Sequence, residues 1–204
     1  MKKVCIIDYG SGNVTSVKNA LEYLGVSTSV SNSKSIINNS SHIILPGVGS
    51  YATTLQKLKK KVDLNFLEKQ VLEKGKFFLG ICVGMQILST TGNEFVESKG
   101  LNWIPGTVKK INSKNLILPH VGWNNLRIKA KNPLVEKIKI LNNFYFVHSY
   151  KFTCKNKKNI IAQVKYGEIF DAVIQKDNIF GVQFHPEKSQ KQGLEILKNF
   201  SKIN

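Results

Sequence analysis

Short apolar runs alternate with amphipathic segments through the first half of the chain, a pattern that predicts β-α units around a largely parallel sheet. Residues 3–8 predict a strand, and residues 14–24 carry apolar side chains at helical spacing. Asn13 is placed to cap this helix, and Gly25 to end it. Later segments predict strands at residues 26–30, 42–45 and 77–82, and helices through Leu55 and Leu58 and through Leu64, Leu67 and Val71.

Beyond Gly100 the pattern changes to short strand-like runs separated by polar turns. These runs predict antiparallel strands that extend the sheet, at residues 107–111, 144–148, 160–165, 170–175 and 179–184. A terminal helix is predicted from the spacing of Leu194, Leu197 and Phe200. Because no linker, repeat or low-complexity block interrupts the chain, we expect one α/β domain over residues 1–204.

Cys82 carries the most chemical information in the chain. It ends an apolar run and lies between Gly80 and Gly84, in a Gly-x-Cys-x-Gly pattern. A strand that turns sharply into a helix needs both glycines, because a Cβ there would collide with the folded backbone. The N–H groups at the start of the helix favour a thiolate, so the pattern predicts a nucleophile. The alternative is a structural cysteine buried in the core.

A thiol nucleophile needs a base, and His185 is the strongest candidate among the histidines. Residues two apart in an extended chain project to the same side, so His185 and Glu187 can point together, and the intervening proline stiffens the pair. Glu187 would orient the ring by accepting from one of its nitrogens. The alternative is an ordinary ion pair at a strand end. His42 is interpreted as structural, and His120 and His148 as intermediate cases.

Attack by a thiolate on a carbonyl group creates an oxyanion that needs donors already in place. The N–H of Val83, directly after the cysteine, is one predicted donor. The second would come from the glycine-rich loop at residues 46–49, which follows a neighbouring strand. Alone, this loop favours the simpler interpretation of a turn between a strand and a helix. The loop around Gly10 and Gly12 lacks the third glycine of a dinucleotide-binding fingerprint, so no such cofactor is predicted.

The formal net charge of +17 over 204 residues raises the question of nucleic-acid binding. Almost all of the positive charge is lysine, however, and Arg127 is the only arginine. Bidentate contacts to guanine and phosphate depend mainly on arginine, so the composition argues against nucleic acid as a partner. Solvated lysine faces explain the charge more simply, and docking to an acidic protein is the second explanation.

Cysteine spacing and hydropathy exclude several other classes. Cys5, Cys82 and Cys154 are widely spaced and form no Cys-x-x-Cys pair, so neither a disulfide framework nor a zinc site is predicted. The sequence contains no apolar stretch of membrane-spanning length and no signal-peptide pattern. We therefore expect a cytosolic protein that is not bound to a membrane.

With its elbow cysteine, histidine–glutamate pair and glycine-rich loop, the chain resembles the class I, triad-type glutamine amidotransferases over its whole length. The matching segments are residues 8–13, 45–49, 80–86, 119–124, 145–150 and 181–189. Within this family, the segments 119–124 and 184–189 are similar to those of the glutaminase subunits of imidazole glycerol phosphate synthase, from histidine biosynthesis. The resemblance implies a three-layer α/β/α fold with a flavodoxin-like mixed sheet and a nucleophile elbow.

The resemblance also implies roles for individual residues. It implies a catalytic triad of Cys82, His185 and Glu187, and an oxyanion hole at Gly49 and Val83. Residues around bound glutamine are implied to be Gln86, Glu94, His148, Ser149 and Tyr150. Lys188 and Trp123 are implied to lie toward the synthase subunit, near the ammonia exit.

The function implied by the resemblance is hydrolysis of L-glutamine to glutamate, without cofactor or metal. The ammonia would pass to a cyclase subunit, joined in a heterodimer, that makes imidazole glycerol phosphate and AICAR. One alternative is a paralogous glutaminase that feeds a different synthase, such as one that amidates a surface sugar. Another is a stand-alone cysteine hydrolase or redox-sensing protein of the same fold, which would be active without a partner.

Overall fold

The computed structural model describes residues 2–139 and 141–204, which form a mixed β-sheet flanked by helices. The strands are β1 (Lys3–Ile7), β2 (Ser27–Ser31), β3 (His42–Gly47), β4 (Phe77–Cys82), β5 (Thr91–Glu94), β6 (Val96–Lys99), β7 (Gly106–Lys110), β8 (His120–Asn125), β9 (Arg127–Ile128), β10 (Asn143–His148), β11 (Tyr150–Cys154), β12 (Ile160–Tyr166), β13 (Glu168–Lys176) and β14 (Ile179–Val182). The α-helices are α1 (Val14–Tyr23), α2 (Lys34–Asn38), α3 (Tyr51–Lys61), α4 (Leu64–Glu68), α5 (Val83–Gln86) and α6 (Gln190–Lys202). A π-helical turn at Lys69–Glu73 continues α4, and 3-10 turns lie at Pro133–Val135, Lys157–Asn159 and Pro186–Lys188.

The main sheet follows the order β2-β1-β3-β4-β14-β13-β11-β7-β5-β6 in the described part of the chain, and β12 joins it through β13. The neighbours from β2 to β14 are parallel. Antiparallel pairs then connect β14 to β13, β13 to β11 and β11 to β7. The first half of the sequence builds most of the parallel part, but β14, from the second half, completes it beside β4, so the prediction that residues 179–184 only add an antiparallel strand is wrong. Beyond β7 the sheet continues with β5, which is parallel to β7. The three-layer α/β class with a mixed sheet is confirmed.

The prediction that residues 144–148 extend the main sheet is wrong. Strand β10 pairs instead with β8 in a two-stranded ribbon, with Asn143 opposite Asn125 and His148 opposite His120. Alternate residues of β10 are buried, and the residues on the same face of β8 are buried or half-buried, so the ribbon packs one face on the core and exposes the other. The apolar run could not distinguish the two sheets, because each of them buries one face.

One local prediction at a helix end is also wrong. Asn13 precedes α1 but makes no capping bond; its Nδ2 donates to Glu187 Oε1 at 3.3 Å instead. The helix expected after the elbow cysteine is present as α5, which is four residues long, Val83–Gln86. Gly25 does end α1, with a φ of +72° that strongly favours glycine.

Strands β3 and β4 and helix α5 approach one another through glycines. A Cβ on Gly84 would lie 2.1 Å from the Leu45 carbonyl oxygen, and one on Gly47 would lie 2.3 Å from the Gly84 amide nitrogen. Both obstructing atoms belong to the backbone, so no side-chain rotation can make room. Helix α5 can therefore begin directly against β3 only because these positions carry no side chain.

We expect Gly84→Ala to lower the free energy of unfolding by about 3 kcal/mol, because the added methyl group forces β3 and α5 apart. Gly25→Ala is the matched control, since Gly25 has positive φ but open space around its Cβ position. It should cost about 1 kcal/mol from backbone strain alone. Urea unfolding of both variants measures the difference, and equal losses would contradict the packing argument.

Candidate active site

Cys82 is the last residue of β4 and directly precedes α5. Its backbone has φ of 55° and ψ of −113°, a conformation that residues with a Cβ rarely adopt. The residue is 3% exposed, and its register partner on β3 is Gly47. The loop that follows β3 therefore begins at the level of the cysteine, which confirms the predicted turn geometry.

His185 and Glu187 lie in the loop between β14 and α6. The loop is tied to β10, because the His185 N–H donates to the Tyr145 carbonyl at 2.9 Å. Ser189 adds a second tie, with its Oγ accepting from the Tyr145 N–H at 2.9 Å and donating to the His185 carbonyl at 2.6 Å. These bonds hold the loop beside the end of β4.

The two side chains form a buried pair, 2% and 1% exposed, with His185 Nδ1 at 2.9 Å from Glu187 Oε1. The other ring nitrogen, Nε2, is buried, and no oxygen or nitrogen among the described residues binds it. Burial alone would lower the pKa of His185, but interactions with the Cys82 sulfur and the Glu187 carboxylate outweigh it and raise this pKa well above 6.5. The imidazole is thus held in its charged form.

A cavity of about 360 Å³ opens beside the sulfur. Its walls include most of the residues singled out from the sequence, namely Gly49, Cys82, Val83, Gln86, Glu94, His148, Ser149, Tyr150 and His185. Glu187 stands outside the lining and contacts the cavity only through His185. The structure therefore brings the predicted nucleophile, base and glutamine-contacting residues together at one end of the sheet.

Gln183 is a site residue that the sequence reasoning missed. It is fully buried, and its Nε2 lies 3.8 Å from Cys82 Sγ. Its Oε1 accepts from Gln86 Nε2 at 3.0 Å, and that same nitrogen donates to the Tyr150 carbonyl at 2.9 Å. The sequence does contain a signal for Gln183. It precedes His185 by two positions, so the same alternation that places His185 and Glu187 on one side also places Gln183 there.

Glu94 is fixed at the start of α3. Its Oε2 accepts from the Tyr51 N–H, the first of that helix, at 2.6 Å. A carboxylate at a helix N-terminus is stabilised by the unpaired N–H groups there. Glu94 thus presents a positioned negative charge to the cavity.

Lys188 and Trp123 lie outside the cavity lining, on the exposed side of the ribbon β8–β10. Trp123 is 47% exposed and packs edge-on against Tyr145 at 5.9 Å between ring centroids. The Lys188 Nζ lies 5.8 Å from the centre of the same Tyr145 ring. Val147, on the same strand as Tyr145, is partly exposed and lines the cavity. The exposed aromatic cluster therefore begins at the cavity edge.

His42, interpreted as structural, lies in the core between Phe77 and Phe200, with ring centroids 5.1 and 5.2 Å apart. Tyr9 was not singled out from the sequence, yet it supports the end of β3 by donating to the Pro46 carbonyl at 2.9 Å. Burial raises the pKa of Tyr9 to about 12, so its hydroxyl stays a neutral donor.

The site combines a cysteine on a strained elbow with a buried histidine–glutamate pair, at one end of a mixed α/β sheet. The family model described as "Glutamine amidotransferase class-I" matches residues 5–203. The chain therefore belongs to the class-I glutamine amidotransferases.

Individual relatives extend over the same length. The "Imidazole glycerol phosphate synthase subunit HisH 2" of Nitrobacter winogradskyi is 39% identical over 211 residues, covering 100% of both chains. The "Imidazole glycerol phosphate synthase subunit HisH" of Moorella thermoacetica is 40% identical, covering 100% of this chain and 96% of that one. The solved structure of PurLQS from Thermotoga maritima has a TM-score of 0.76 at 20% identity and covers 98% of this chain and 97% of that chain. It supports the fold.

Two further features are absent from the residues that the structure describes. None of the helices there is both long enough and apolar enough to span a bilayer. No group of three or more histidine, cysteine, aspartate or glutamate side chains in the same residues could hold a metal ion.

We expect iodoacetamide at neutral pH to alkylate Cys82 selectively. Burial raises the pKa of Cys5 to about 11, and burial together with Asp171 raises the pKa of Cys154 further, so both thiols stay protonated. Cys82 instead lines a cavity beside a charged imidazole. Peptide mapping by mass spectrometry should find one modified site, and Cys82→Ser should abolish it. Labelling of Cys5 at a comparable rate would contradict this interpretation.

Proposed function

We propose that the chain is the glutaminase subunit of an imidazole glycerol phosphate synthase, acting in the cytoplasm as one glutamine amidotransferase domain over residues 1–204. It hydrolyses L-glutamine and delivers ammonia to a cyclase subunit in a heterodimer. The observation that carries the proposal is the meeting of Cys82 with the His185–Glu187 pair beside one cavity. Full-length identity of about 40% to subunits with that printed name supports the choice of pathway.

In the first half of the reaction, the Cys82 thiolate attacks the side-chain amide carbon of glutamine. The amide oxygen becomes an oxyanion, which the N–H groups of Val83 and Gly49 stabilise. His185 donates its proton to the amide nitrogen, the C–N bond breaks, and ammonia leaves. Glu187 orients the ring and compensates its charge throughout. The product is a thioester on Cys82.

In the second half, water replaces ammonia. The now neutral His185 accepts a proton from the water as its oxygen attacks the thioester carbon. The same two N–H groups stabilise the second oxyanion, and collapse of this intermediate breaks the C–S bond. Glutamate leaves and the thiolate–imidazolium pair is restored.

The remaining walls of the cavity would bind the amino-acid part of glutamine. Glu94 supplies a fixed carboxylate for the α-ammonium group. Gln86 uses Nε2 within the protein, so its carbonyl oxygen is the group left for the substrate. The turn from His148 through Ser149 to Tyr150 supplies backbone groups for the α-carboxylate.

The exposed ribbon face beside the cavity is the proposed docking surface for the cyclase subunit. Val121, Trp123 and Val147 are 56%, 47% and 36% exposed, and Val121 lies opposite Val147 in the ribbon. A contiguous apolar patch of this kind marks a protein interface. A dry path from the cavity across this face, past Lys188, would keep ammonia unprotonated and nucleophilic until it reaches the acceptor.

A second candidate keeps the chemistry and changes the acceptor. The printed name of the Nitrobacter relative carries the numeral 2, which favours considering a paralogue that feeds ammonia to a different synthase, such as a sugar-amidating enzyme. The groups that act on glutamine would be the same in both cases. A stand-alone cysteine hydrolase is less well supported, because it leaves the exposed ribbon face without a role.

We expect the chain, expressed with a histidine-pathway cyclase subunit, to restore growth of a histidine auxotroph that lacks its own glutaminase subunit. Cys82→Ala should fail to do so, because the attacking sulfur is missing. In vitro, the complex with Cys82→Ala should still make imidazole glycerol phosphate from added ammonium salts, since the cyclase is intact. No growth with the unmutated chain, despite glutaminase activity, would favour the paralogue. Loss of ammonia-dependent synthesis in Cys82→Ala would count against the two-subunit scheme.

We expect Glu187→Gln to move the alkaline limb of the glutaminase pH–rate profile to lower pH by about 1–3 units, because an adjacent carboxylate raises the pKa of a cation by that amount. In the unmutated chain the raised pKa of His185 keeps the ring protonated above pH 6.5, so activity is lost only as pH rises through that higher value. Glu195→Gln, at a surface ion pair with Lys198, is the matched control and should leave the profile unchanged. An unshifted limb in Glu187→Gln would show that His185 does not set it.

A further inference from the structure

Two histidines outside the proposed reaction chemistry are buried side by side at the cavity, His148 in its wall and His120 next to His148. His120 and His148 are 3% and 7% exposed. The His120 ring stacks on Tyr166 at 4.0 Å and on Phe146 at 5.0 Å between centroids. Burial lowers the pKa of His120 to about 4 and that of His148 to about 3, so both rings are neutral at neutral pH.

The hydrogen bonds around these rings define which nitrogen carries each proton. His148 Nδ1 lies 2.8 Å from the Tyr150 carbonyl oxygen, which can only accept, so the proton of this neutral ring is on Nδ1. His148 Nε2 is then an acceptor, and His120 Nδ1 lies 3.3 Å from it. His120 must therefore donate from Nδ1, which leaves its own Nε2 as an acceptor.

Asn124 lies at the outer end of this series of hydrogen bonds and supplies the donor that His120 Nε2 requires. Its Oδ1 accepts from the Asn125 N–H at 2.9 Å, so the amide orientation is defined. Its Nδ2 donates to the Lys165 carbonyl at 3.1 Å and lies 3.4 Å from His120 Nε2. Every bond from Asn124 through His120 to His148 thus runs in one direction, with one proton for each acceptor.

At its inner end this series of hydrogen bonds reaches the side-chain amides of Gln86 and Gln183, beside Cys82. The Tyr150 carbonyl accepts from both His148 Nδ1 and Gln86 Nε2, which uses both of its lone pairs. Gln86 also donates to Gln183, whose Nε2 lies 3.8 Å from Cys82 Sγ. The carbonyl held by the histidines is therefore the same group that orients the amides around the sulfur.

We propose that His120 is a positioning residue for glutamine hydrolysis, which holds His148 in the one tautomer that donates to the Tyr150 carbonyl. This inference rests on the proposed function. The His148 ring then acts through the cavity wall and not as a ligand of glutamine, because both of its nitrogens are occupied within the protein. Without the His120 donor, His148 can move its proton to Nε2 and release the carbonyl.

The test compares His120→Leu with His120→Asn in the assembled complex with the cyclase subunit. Asparagine places an N–H donor where His120 Nδ1 stands, whereas leucine removes it. We expect His120→Leu to raise the KM for glutamine about tenfold, with a smaller change in kcat, since one net hydrogen bond corresponds to roughly a tenfold change in an equilibrium. His120→Asn should stay within about twofold of the unmutated complex, in line with retention of that bond. Equal KM values for the two variants would overturn the proposal.

A second measurement does not depend on either variant folding. Two-bond proton–nitrogen NMR spectra of the 15N-labelled chain at pH 7 report the tautomer of each imidazole. We expect both His120 and His148 to be neutral and protonated on Nδ1, and an Nε2-protonated or doubly protonated His148 would overturn the proposal. If the unmutated complex hydrolyses no glutamine, the proposed function fails, while the NMR result still decides the tautomers.

Discussion

The close approach of three backbone segments at Gly47, Gly80 and Gly84 is the constraint on which the site depends. A Cβ on Gly80 would lie 2.4 Å from the Gly84 carbonyl oxygen, and the other two positions are as crowded. Because α5 must begin this close to β3 and β4, the residue between strand and helix has to turn through positive φ. The packing of β3 and α5 around it holds the strain in place. Cys82 consequently projects its sulfur from the end of the sheet into the cavity, where a core cysteine would be enclosed.

The parallel pairing of β14 with β4 explains how residues a hundred positions apart meet. Gly181 is in register with Gly80, and Val182 with Ile81, so the chain after β14 emerges beside the elbow. Three residues further on, His185 is tied to β10 and held by Glu187. Burying an imidazole and a carboxylate would be costly for either alone, but each compensates the charge of the other. The result is a buried imidazole whose pKa is raised well above 6.5.

The parts of this arrangement that follow from the sequence are the local ones. The Gly-x-Cys-x-Gly turn and the alternation of His185 with Glu187 involve residues within four positions of each other, so steric and periodicity arguments suffice. The hydrogen bond between Gln86 and Gln183 and the one from Asn13 to Glu187 could not be predicted in this way. The first pair is 97 positions apart in the sequence and the second is 174 apart. Asn13 illustrates the limit of prediction from local sequence. Its position favoured a helix cap, but its side chain donates to the distant carboxylate of Glu187 instead. The ribbon β8–β10 was missed for the same reason: strand pairing depends on partners that hydropathy does not reveal.

That ribbon joins the two functions proposed for the chain. Its outward residues, Val121, Trp123 and Val147, form the proposed docking face, and its inward residues include His120, Asn124 and His148. Side chains of a strand alternate between faces but share one backbone. A partner bound to the outer face therefore contacts the same strands that carry His120 and His148. If the partner binds one arrangement of the ribbon more tightly, and glutamine hydrolysis requires that same arrangement, each must strengthen the other by an equal free energy. Coupling between the subunits therefore needs no long path through the molecule, because the proposed docking surface and the hydrogen-bonded histidines lie on the two faces of the same pair of strands.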